Sequence, residues 1–331
     1  MKIAVIGAGG IGGLVAAYLS KAGQDVLLVG REDQVSAISK NGLTIRGVNG
    51  EENFKLKTAV SLDQEYDLVI FATKTQDLDY AYEQNSQYLD SCDVLTTQNG
   101  VQADNILSSH FERDKMFSSI VMFGATYVKP GEIVYNFKGD WILGSPFVPV
   151  NKKLREIAET FKAAFPVVVS EHIMGMKYLK LFVNFNNALC ALVGKSMQET
   201  FADMDMCRLS VRLLKEGVEI VKAAKIELTS LPDYPVERIY GLTSMPEEQA
   251  AGITNKVLTS LSKEPVYGSI LQSIMRGKTS EIDFINGEVV FLSKQMYKHL
   301  PLNEKVVEMV HEVEHTGKFF SFEEVKNKVV N

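Results

Sequence analysis

The pattern of hydrophobic positions changes near residue 171, and the two halves of the chain predict different architectures. In the first half, apolar runs of strand length alternate with stretches of helical periodicity. In the second half, strand signals disappear and amphipathic segments predict helices at about 173–193, 205–224, 247–260, 280–296 and 303–314. We therefore expect an α/β domain over residues 1–171, followed by an all-helical domain over residues 172–331.

The first domain is expected to alternate strands and helices. Strands are predicted at 2–6, 25–29, 42–46, 52–58, 67–73, 93–97 and 167–169, with two longer β-rich pieces at 117–128 and 132–143. Helices are predicted at 14–19, 79–89 and 152–165, and turns between paired strands at 48–51 and 129–131.

A glycine-rich loop follows the first predicted strand directly. Gly7 permits a tight turn, Gly9 lets a pyrophosphate approach the backbone, and Gly12 allows the next helix to pack closely on the strand. This order of strand, turn and helix predicts a dinucleotide site at the positive end of the helix dipole. The alternative is a glycine-rich turn that binds no ligand. The predicted site consists of Gly7, Ala8, Gly9, Gly10, Ile11 and Gly12.

The residues after the second strand distinguish the two nicotinamide dinucleotides. An acidic side chain at this strand end suits the ribose 2′-hydroxyl of NAD, whereas a cation suits the 2′-phosphate of NADP. Arg31 occupies the position and Glu32 follows it, so we expect NADP. Lys74, just beyond the strand at 67–73, is a second candidate cation. The alternative is a surface arginine, with Glu32 binding NAD.

Composition and charge argue against several other classes of protein. With 46% hydrophobic residues the chain is not expected to be disordered, and 331 residues favour two domains. A net charge of −6 without a long basic block argues against a nucleic-acid partner. The sequence contains no apolar run of membrane-spanning length, so no membrane association is expected.

Cysteine and histidine spacing give no sign of a disulfide framework or a metal centre. The spacing of Cys92, Cys190 and Cys207 indicates reduced thiols in a cytoplasmic protein. His311 and His315 are four residues apart, as in some metal pairs, but a solvated helix face is the better interpretation. We therefore expect no metal.

The helical half contains one segment with polar residues where the pattern calls for apolar ones. Lys180, Asn184 and Asn187 fall at i, i+4 and i+7 and share one predicted helix face. The surrounding sequence is strongly apolar, so the face is expected to be partly buried. A partly buried lysine suits proton donation to a carbonyl oxygen. The alternative, equally supported by the pattern, is a lysine that reaches solvent beside two amides that tie helices together.

A second polar segment, residues 268–287, runs into another predicted helix. Ser280 is a candidate N-cap, and Glu281 and Asp283 suit the first helical turn. Helix capping therefore explains these residues without any chemistry. The alternative is that Glu281 projects into an interdomain cleft and pairs with Lys180.

With these segments the sequence resembles the ketopantoate reductase (2-dehydropantoate 2-reductase) family over nearly its whole length. The lysine and asparagine four residues apart and the block at 279–287 are specific to it, whereas the glycine motif alone is not. The resemblance implies a Rossmann-type N-terminal domain and an all-α C-terminal domain like that of 6-phosphogluconate dehydrogenase. The matching pieces are GAGGIG at 7–12, Arg31, Lys74 in ATK, QNG at 98–100, KLFVN at 180–184, SILQ at 269–272 and TSEIDFING at 279–287.

The resemblance also implies roles for individual residues. Lys180 would donate a proton to the keto oxygen while NADPH delivers hydride to the carbon, and Glu281 would orient Lys180 or the substrate. Asn99 would lie beside the nicotinamide. The residues implied to bind substrate are Asn184, Asn187 and Ser269.

The implied function is the NADPH-dependent reduction of 2-dehydropantoate to pantoate, a step of pantothenate and coenzyme A synthesis. The helical half is compatible with a homodimer. One position departs from the family, in which a second asparagine often follows the lysine by eight residues. This chain has Ala188 there, preceded by Asn187, so either Asn187 reaches the substrate or the pocket differs.

Two other functions therefore stay open. One is the reduction of another 2-keto acid, with altered specificity. The other is a non-catalytic NADP-binding sensor whose helical domain serves dimerisation. The joint presence of Lys180 and Glu281 favours an enzyme, because a sensor has no need for an acid beside its cofactor.

Overall fold

The computed structural model describes residues 1–329, and the chain divides after Ile173 into two units. Unit 1 (Met1–Ile173) combines strands and helices, and unit 2, from Met174 onward, is helical. The expected class, an α/β domain followed by an all-helical one, is confirmed. Among the described residues, no helix has the length and apolar character needed to cross a membrane.

Unit 1 is built on a sheet in which the first strand of the chain is central. The strands of the unit are β1 (Lys2–Ile6), β2 (Asp25–Val29), β3 (Leu43–Gly47), β4 (Gly50–Phe54), β5 (Lys57–Ala59), β6 (Leu68–Phe71), β7 (Asp93–Thr96), β8 (Met116–Val121), β9 (Gly124–Lys129), β10 (Glu132–Phe137), β11 (Trp141–Gly144) and β12 (Val167–Ser170). In the part of the chain that the structure describes, the main sheet has the order β12-β11-β8-β7-β6-β1-β2-β5. Its neighbouring strands run parallel, except β8 and β11.

The chain builds outward from β1 in two directions, through β2 to β5 on one side and through β6 to β7 and β8 on the other. In open parallel sheets, ligands bind at the carboxyl ends of the strands where the order reverses. The loops that follow β1 and β6 therefore flank the expected ligand position.

Helices cover both faces of this sheet. They are α1 (Gly10–Lys21), α2 (Glu32–Asn41), α3 (Leu78–Glu83), α4 (Gln102–Leu107) and α5 (Lys152–Lys162). Side chains of β1 alternate between the faces: Ile3 and Val5 join one buried cluster, with residues of α1 and α5, while Ala4 and Ile6 join another, with residues of α3 and α4. Burial on both faces explains why the strands read as continuous apolar runs.

A smaller sheet with the order β4-β3-β10-β9 packs against α1. The β3–β4 and β9–β10 pairs are antiparallel hairpins, which confirms the turns predicted at 48–51 and 129–131. Two glycines of α1 permit the close approach. A Cβ added at Gly10 would lie 2.6 Å from the carbonyl oxygen of Ala125, and one at Gly13 would overlap Ile133.

Several predicted elements of unit 1 differ from the observed ones in extent, most clearly those at 52–58 and 79–89. The strand expected at 52–58 is interrupted after Phe54, so that β4 joins the small sheet and β5 joins the main one. The helix expected at 79–89 ends at Glu83 and is followed by a 3-10 turn at Ser86–Tyr88. Asn85 explains this end, because its side chain donates to Ala81 O at 2.7 Å and accepts from Leu62 N at 2.7 Å.

Unit 2 packs its helices around the long helix α9. Asp203 caps this helix by accepting from the N–H groups of Asp205 and Met206 at 2.8 and 3.1 Å. Gly217 of α9 gives room to the rings of Phe182 and Phe185. The helices are α6 (Ile173–Asn184), α7 (Asn186–Val193), α8 (Met197–Phe201), α9 (Met204–Ala223), α10 (Glu237–Ser244), α11 (Glu247–Thr259), α12 (Ser269–Met275), α13 (Asn286–Gln295), α14 (Pro301–Thr316) and α15 (Phe322–Val329).

Two predicted helices of unit 2 are also wrong in extent. The helix expected at 173–193 is interrupted at Phe185, whose N–H bonds Phe182 O at 3.3 Å in a tighter turn. The two rings pack edge to face at 5.1 Å, an arrangement that depends on α9 and has no local signal. The helix expected at 280–296 starts as a 3-10 turn at Ile282–Phe284, and α13 begins only at Asn286.

Candidate functional site

The glycine loop of unit 1 has the shape that a dinucleotide phosphate requires. Gly7 adopts φ +118°, and a Cβ there would lie 2.7 Å from Ala72 C and Thr73 N. A Cβ at Gly12 would overlap the carbonyl oxygen of Gly7, so the helix could not pack as it does. By contrast, a Cβ at Gly9 would meet no atom of the described residues within 4 Å. The open side of the loop is therefore at Gly9.

The first turn of α1 is electrostatically suited to an anion. Among residues 1–329, no side chain caps the helix at Gly9, and its first turn contains no acidic residue. Its N–H groups and the positive end of its dipole therefore face the open side of the loop. Ala8 is buried and Ile11 is partly buried beside this turn. The loop fits a pyrophosphate on its backbone.

Three other loops begin at the same edge of the sheet. Arg31 follows β2, Lys74 follows β6, and Asn99 follows β7. Gln98 ties two of these loops together: its Nε2 donates to Phe71 O at 3.0 Å and to Thr73 O at 2.9 Å. Because Gln98 is buried, it holds the backbone beside Lys74 and Asn99 in fixed positions.

A buried glutamine links the glycine loop to the strand end that carries Arg31. Gln34 Nε2 donates to Ala8 O at 2.8 Å, and its Oε1 accepts from Arg31 N at 3.0 Å. Gly30 makes this possible, because a Cβ there would lie 2.6 Å from the Cβ of Ala8. Gln34 was not predicted from the sequence to be part of this site. The only signal in the sequence is a capping-box pattern. Gln34 lies three residues after the N-cap residue Arg31, at the position whose side chain bonds back to the N-cap backbone.

The guanidinium of Arg31 is accessible. Its Nε lies 3.4 Å from Asp33 Oδ1, and the two side chains are 63% and 52% exposed. An ion pair this exposed contributes little and can rearrange for a stronger anion. Glu32 is exposed beside it, so both interpretations of this strand end remain chemically available.

A second group of polar residues behind Asn99 was also missed. Asp104, fully buried in α4, accepts from Thr96 Oγ1 at 2.6 Å and from Ser118 Oγ at 2.8 Å. These bonds connect the start of α4 to the last residue of β7 and to the middle of β8. The turn between β7 and α4 includes Asn99 and Gly100, and Gly100 adopts φ +80°. The network therefore fixes the backbone that presents Asn99.

In unit 2, Lys180 lies on α6 and is partly buried. Burial of the ammonium group and the positive charge of Lys177 lower the pKa of Lys180 from 10.5 to about 8. A lysine with this pKa is mostly protonated near neutral pH and gives up its proton far more readily than an exposed one. The side chain therefore has the acidity that a proton donor to a carbonyl oxygen needs.

The asparagines after Lys180 face different surroundings. Asn184 ends α6 and is partly buried. Asn186, on α7, accepts from Ser210 Oγ at 2.6 Å, which ties α7 to α9. Ala188 is fully buried in the helical core. The single unbroken face predicted for Lys180, Asn184 and Asn187 does not exist as one helix, because the helix is interrupted between them.

The structure brings Asn187 next to the start of α12. A Cβ at Gly268 would lie 2.5 Å from Asn187 Oδ1, so this amide packs directly on the backbone that precedes Ser269. Ser269 is exposed as the first residue of α12, and Asn187 is buried. Two residues predicted to bind substrate, 82 positions apart in sequence, therefore lie close together.

Glu281 lies in a short connection between α12 and α13. It immediately precedes the 3-10 turn Ile282–Phe284 and is partly buried. Ser280 Oγ accepts from Ile282 N at 3.2 Å. The prediction of Ser280 as the N-cap of an α-helix is wrong, because the element is a 3-10 turn whose N-cap is Glu281. The backbone N–H of Ser280 donates to Glu314 Oε1 at 2.7 Å, a bond from α14 that the sequence did not indicate.

The two histidines four residues apart have different surroundings. His311 bonds Asp283 and Glu314 through its two ring nitrogens, and His315 is exposed. Over the described residues, no cluster of three or more histidine, cysteine, aspartate or glutamate side chains is arranged to hold a metal ion.

Comparison with known proteins matches both units to one family. The model of the family described as ketopantoate reductase PanE/ApbA matches residues 3–146, and the model of its C-terminal region matches residues 172–314. The 2-dehydropantoate 2-reductase of Pyrococcus horikoshii is 30% identical over 92% of this chain and 94% of its own length. The protein of the same name from Aquifex aeolicus is 25% identical over 94% and 96%.

Solved structures agree with these matches. A PanE/ApbA family ketopantoate reductase from Ralstonia eutropha JMP134 superposes with a TM-score of 0.81 at 25% identity, over 95% of this chain and 99% of that one. D-mandelate dehydrogenase in ternary complex with NADH and anilino(oxo)acetate gives a TM-score of 0.82 at 22% identity, over 96% and 99%. The second likeness shows a common fold.

Proposed function

We propose that this chain, which belongs to the ketopantoate reductase family, reduces 2-dehydropantoate to pantoate with NADPH. The observation that carries the proposal is Lys180, whose pKa is lowered to about 8 by burial. A perturbed lysine on a helix of the domain expected to bind substrate supports keto-group reduction over simple cofactor binding.

The reaction adds a hydride to the keto carbon and a proton to the keto oxygen, so that the C=O bond becomes a C–H and an O–H bond. NADPH supplies the hydride. Lys180 donates the proton and, while still charged, stabilises the negative charge that develops on the oxygen. The neutral amine that remains regains its proton from solvent. Glu281 orients Lys180 or the substrate, so that the donor and the oxygen are aligned.

Substrate binding is assigned to polar groups of unit 2. Ser269 binds the carboxylate, and Asn184 and Asn187 hydrogen-bond the rest of the substrate. Support for treating Ser269 and Asn187 as one subsite comes from Asn187 Oδ1, which packs against Gly268. Burial of the Asn187 amide strengthens a hydrogen bond made there and penalises a substrate that leaves it unpaired.

Cofactor binding is assigned to the loops at the carboxyl edge of the main sheet in unit 1. The backbone of Gly7–Gly12 would hold the pyrophosphate, Arg31 and Lys74 would bind the 2′-phosphate, and Asn99 would contact the nicotinamide, which supplies the hydride. The preference for NADPH is supported by Arg31 at the strand end and by its exposure, which leaves it accessible to the phosphate. The Asp33 carboxylate at 3.4 Å is the competitor that the phosphate must displace.

The test is steady-state oxidation of NADPH by the purified protein, with 2-dehydropantoate and a panel of other 2-keto acids. We expect the highest kcat/KM for 2-dehydropantoate, and we expect Lys180→Ala to lose turnover while NADPH still binds, because the change removes an interaction made in the transition state. Unchanged turnover in Lys180→Ala would remove the residue from the mechanism. NADPH binding without turnover of any keto acid would make the protein a sensor.

The second candidate function is the reduction of a different 2-keto acid. Ala188 favours it, because this residue is fully buried in the core and supplies no polar group to a substrate hydroxyl. A keto acid without the hydroxyl of 2-dehydropantoate would then be turned over at least as well. The same panel decides, through the ratio of kcat/KM for 2-dehydropantoate to that for its analogue without the hydroxyl.

The proposal includes a cytoplasmic location and a homodimer formed by the helical unit. The three cysteines, Cys92, Cys190 and Cys207, are free and buried, which suits a reducing compartment. Sedimentation of the purified protein at several concentrations tests the dimer, and a single monomeric species at all concentrations would contradict it.

A further inference from the structure

His311 of α14 bridges two carboxylates. Its Nε2 lies 2.9 Å from Asp283 Oδ1, and its Nδ1 lies 3.0 Å from Glu314 Oε2. An ionised carboxylate accepts hydrogen bonds and cannot donate them. Both ring nitrogens must therefore carry a proton for both bonds to form, and the geometry specifies the charged imidazolium.

The two carboxylates extend this bridge to the residues on either side of Glu281. Glu314 accepts the Ser280 N–H at 2.7 Å through its other oxygen, Oε1. Asp283, two residues after Glu281, is the other partner of His311. Residues 278–281 have no helix or strand of their own, so these bonds from α14 take the place of a regular hydrogen-bond ladder.

We propose that His311 is a positioning residue, which as an imidazolium clamps Ser280 and Asp283 to α14 and thereby fixes Glu281 between them. The inference deepens the proposed function, because it rests on Glu281 orienting Lys180 or the substrate. His311 bonds Asp283 and Glu314 and acts through the backbone of the segment that carries Glu281.

The electrostatic surroundings favour the charged ring. Partial burial lowers the pKa of His311, but the hydrogen bonds with Asp283 and Glu314 outweigh burial and raise the pKa above 6.5. Of the charged groups around α14, Asp283 and Glu314 act on the ring. The elements packed against α14 carry three further charged groups: Glu216 on α9, Glu288 on α13 and Lys328 on α15. Glu216 accepts from Asn303 N at the other end of α14, and Lys328 pairs with Glu312.

The direction of the pH effect follows from the raised pKa. Below the folded-state pKa of His311, both bonds of the clamp are present. As the pH rises through that value, the ring loses one proton and one of its two carboxylates loses its donor. The segment then loosens, and this loss is separate from the deprotonation of Lys180 near pH 8.

The experiment compares three variants of the full-length enzyme. His311→Leu removes both bonds, His311→Gln keeps one amide donor, and His315→Gln changes an exposed histidine one turn further along the same helix. We expect kcat to fall about tenfold or more in His311→Leu, with NADPH affinity unchanged, because a small misplacement of an orienting group slows the reaction strongly. We expect His311→Gln to recover part of that loss and His315→Gln to match the wild type.

The pH profile separates positioning from a merely structural role. In wild type and His315→Gln, two groups should lower kcat as the pH rises, His311 and Lys180. The contribution of His311 should be missing from His311→Gln, which has no ionisable ring. A profile unchanged in His311→Gln, or a kcat of His311→Leu within twofold of wild type, would overturn the proposal.

A measurement without substrate covers the case in which His311→Leu does not fold. The ring proton signals of His311, followed by NMR against pH, should titrate above 6.5 in the wild type and at lower pH in Asp283→Asn. Titration at or below 6.5 in the wild type would overturn the clamp. If wild-type protein reduces no keto acid, the proposed function fails and the positioning role with it, whereas the NMR result still reports the bridge.

Discussion

At Lys180, the burial that makes the side chain a useful acid also makes it costly to the fold. Removing an ammonium group from water disfavours its charged form, and the charge of Lys177 adds to the effect. The two interpretations of this residue from sequence therefore differ in the sign of its effect on stability. A lysine that ties helices together stabilises the protein, whereas one kept for chemistry destabilises it.

Replacing Lys180 with Met should stabilise the protein while abolishing its activity. The lowered pKa predicts that Lys180→Met raises the free energy of unfolding at pH 7 by roughly 1–3 kcal/mol, since each pKa unit is about 1.4 kcal/mol. Turnover should fall by about 10²-fold or more, because the proton donor is gone. Denaturant unfolding and steady-state kinetics measure the two effects.

The pH dependence checks this account. A lysine whose pKa is lower in the folded state binds fewer protons there than in the unfolded state. The destabilisation by Lys180 is therefore complete below about pH 8 and decreases as the pH rises toward 10.5. The stability gap between wild type and Lys180→Met should therefore narrow above pH 8. Lys263→Met, at an exposed lysine, is the control and should change stability little at any pH. A destabilised Lys180→Met would support the structural interpretation.

Two glycines of the same loop should respond oppositely to alanine. Gly9 has an ordinary φ of −83°, and its Cβ would enter open space, so Gly9→Ala should leave the melting temperature unchanged. The Cβ would occupy the space that a pyrophosphate needs, and the Kd for NADPH should rise by about tenfold or more. Gly12→Ala should instead lower the melting temperature, because its Cβ overlaps Gly7 O. Full NADPH affinity in Gly9→Ala would contradict a phosphate at this position.

At the scale of elements, the sequence predicts correctly those strands whose bounds are set by neighbouring residues in the chain. β1 and β2 were predicted with their observed bounds, because buried parallel strands are continuous apolar runs that end in glycine. The interruption at Phe185 could not be predicted, since residues 176–193 contain no proline or glycine. Its cause is ring packing against Gly217, 32 residues away. The roles of Gln34 and Asp104 also depend on contacts between elements distant in sequence. Gln34 bonds Ala8 and Asp104 bonds Ser118, so neither role was predicted.

The contact between α7 and α12 gives a test at this scale. Gly268→Ala would place a Cβ 2.5 Å from Asn187 Oδ1 and displace the amide from its position beside Ser269. We expect KM for the keto acid to rise about tenfold, with NADPH affinity unchanged. The double variant Gly268→Ala with Asn187→Ala should recover lost stability but not lost affinity.

The matched control for this change lies on α11. A Cβ at Gly252 would meet no atom of the described residues within 4 Å, and Gly252 lies inside a helix. Gly252→Ala should therefore stabilise the protein by about 0.5–1 kcal/mol and leave KM unchanged. An unaltered KM in Gly268→Ala would mean that Asn187 does not bind the substrate.

At the scale of the whole molecule, the predicted ligands divide between the two units. Residues assigned to the dinucleotide lie at one edge of the main sheet in unit 1, and residues assigned to the keto acid lie on α6, α7 and α12 and before α13 in unit 2. The sequence could predict the two fold classes, because strand and helix periodicities separate the halves, whereas the assignment of residues to ligands stays a prediction. It could not predict the clamp from α14, whose residues His311 and Glu314 have no local pattern that points to Ser280.

Cofactor preference should therefore appear in the stability of the folded protein. A ligand that binds only the folded state at a hundred times its Kd adds about 2.7 kcal/mol to the free energy of unfolding. At equal concentrations, NADPH should raise the melting temperature more than NADH does, because the Arg31 guanidinium matches the 2′-phosphate. Arg31→Ala should reduce the NADPH shift to that of NADH, while Arg46→Ala, an exposed arginine on β3, should keep the difference. Equal shifts by both dinucleotides in wild type, or equal losses in Arg31→Ala, would instead assign the strand end to NAD through Glu32.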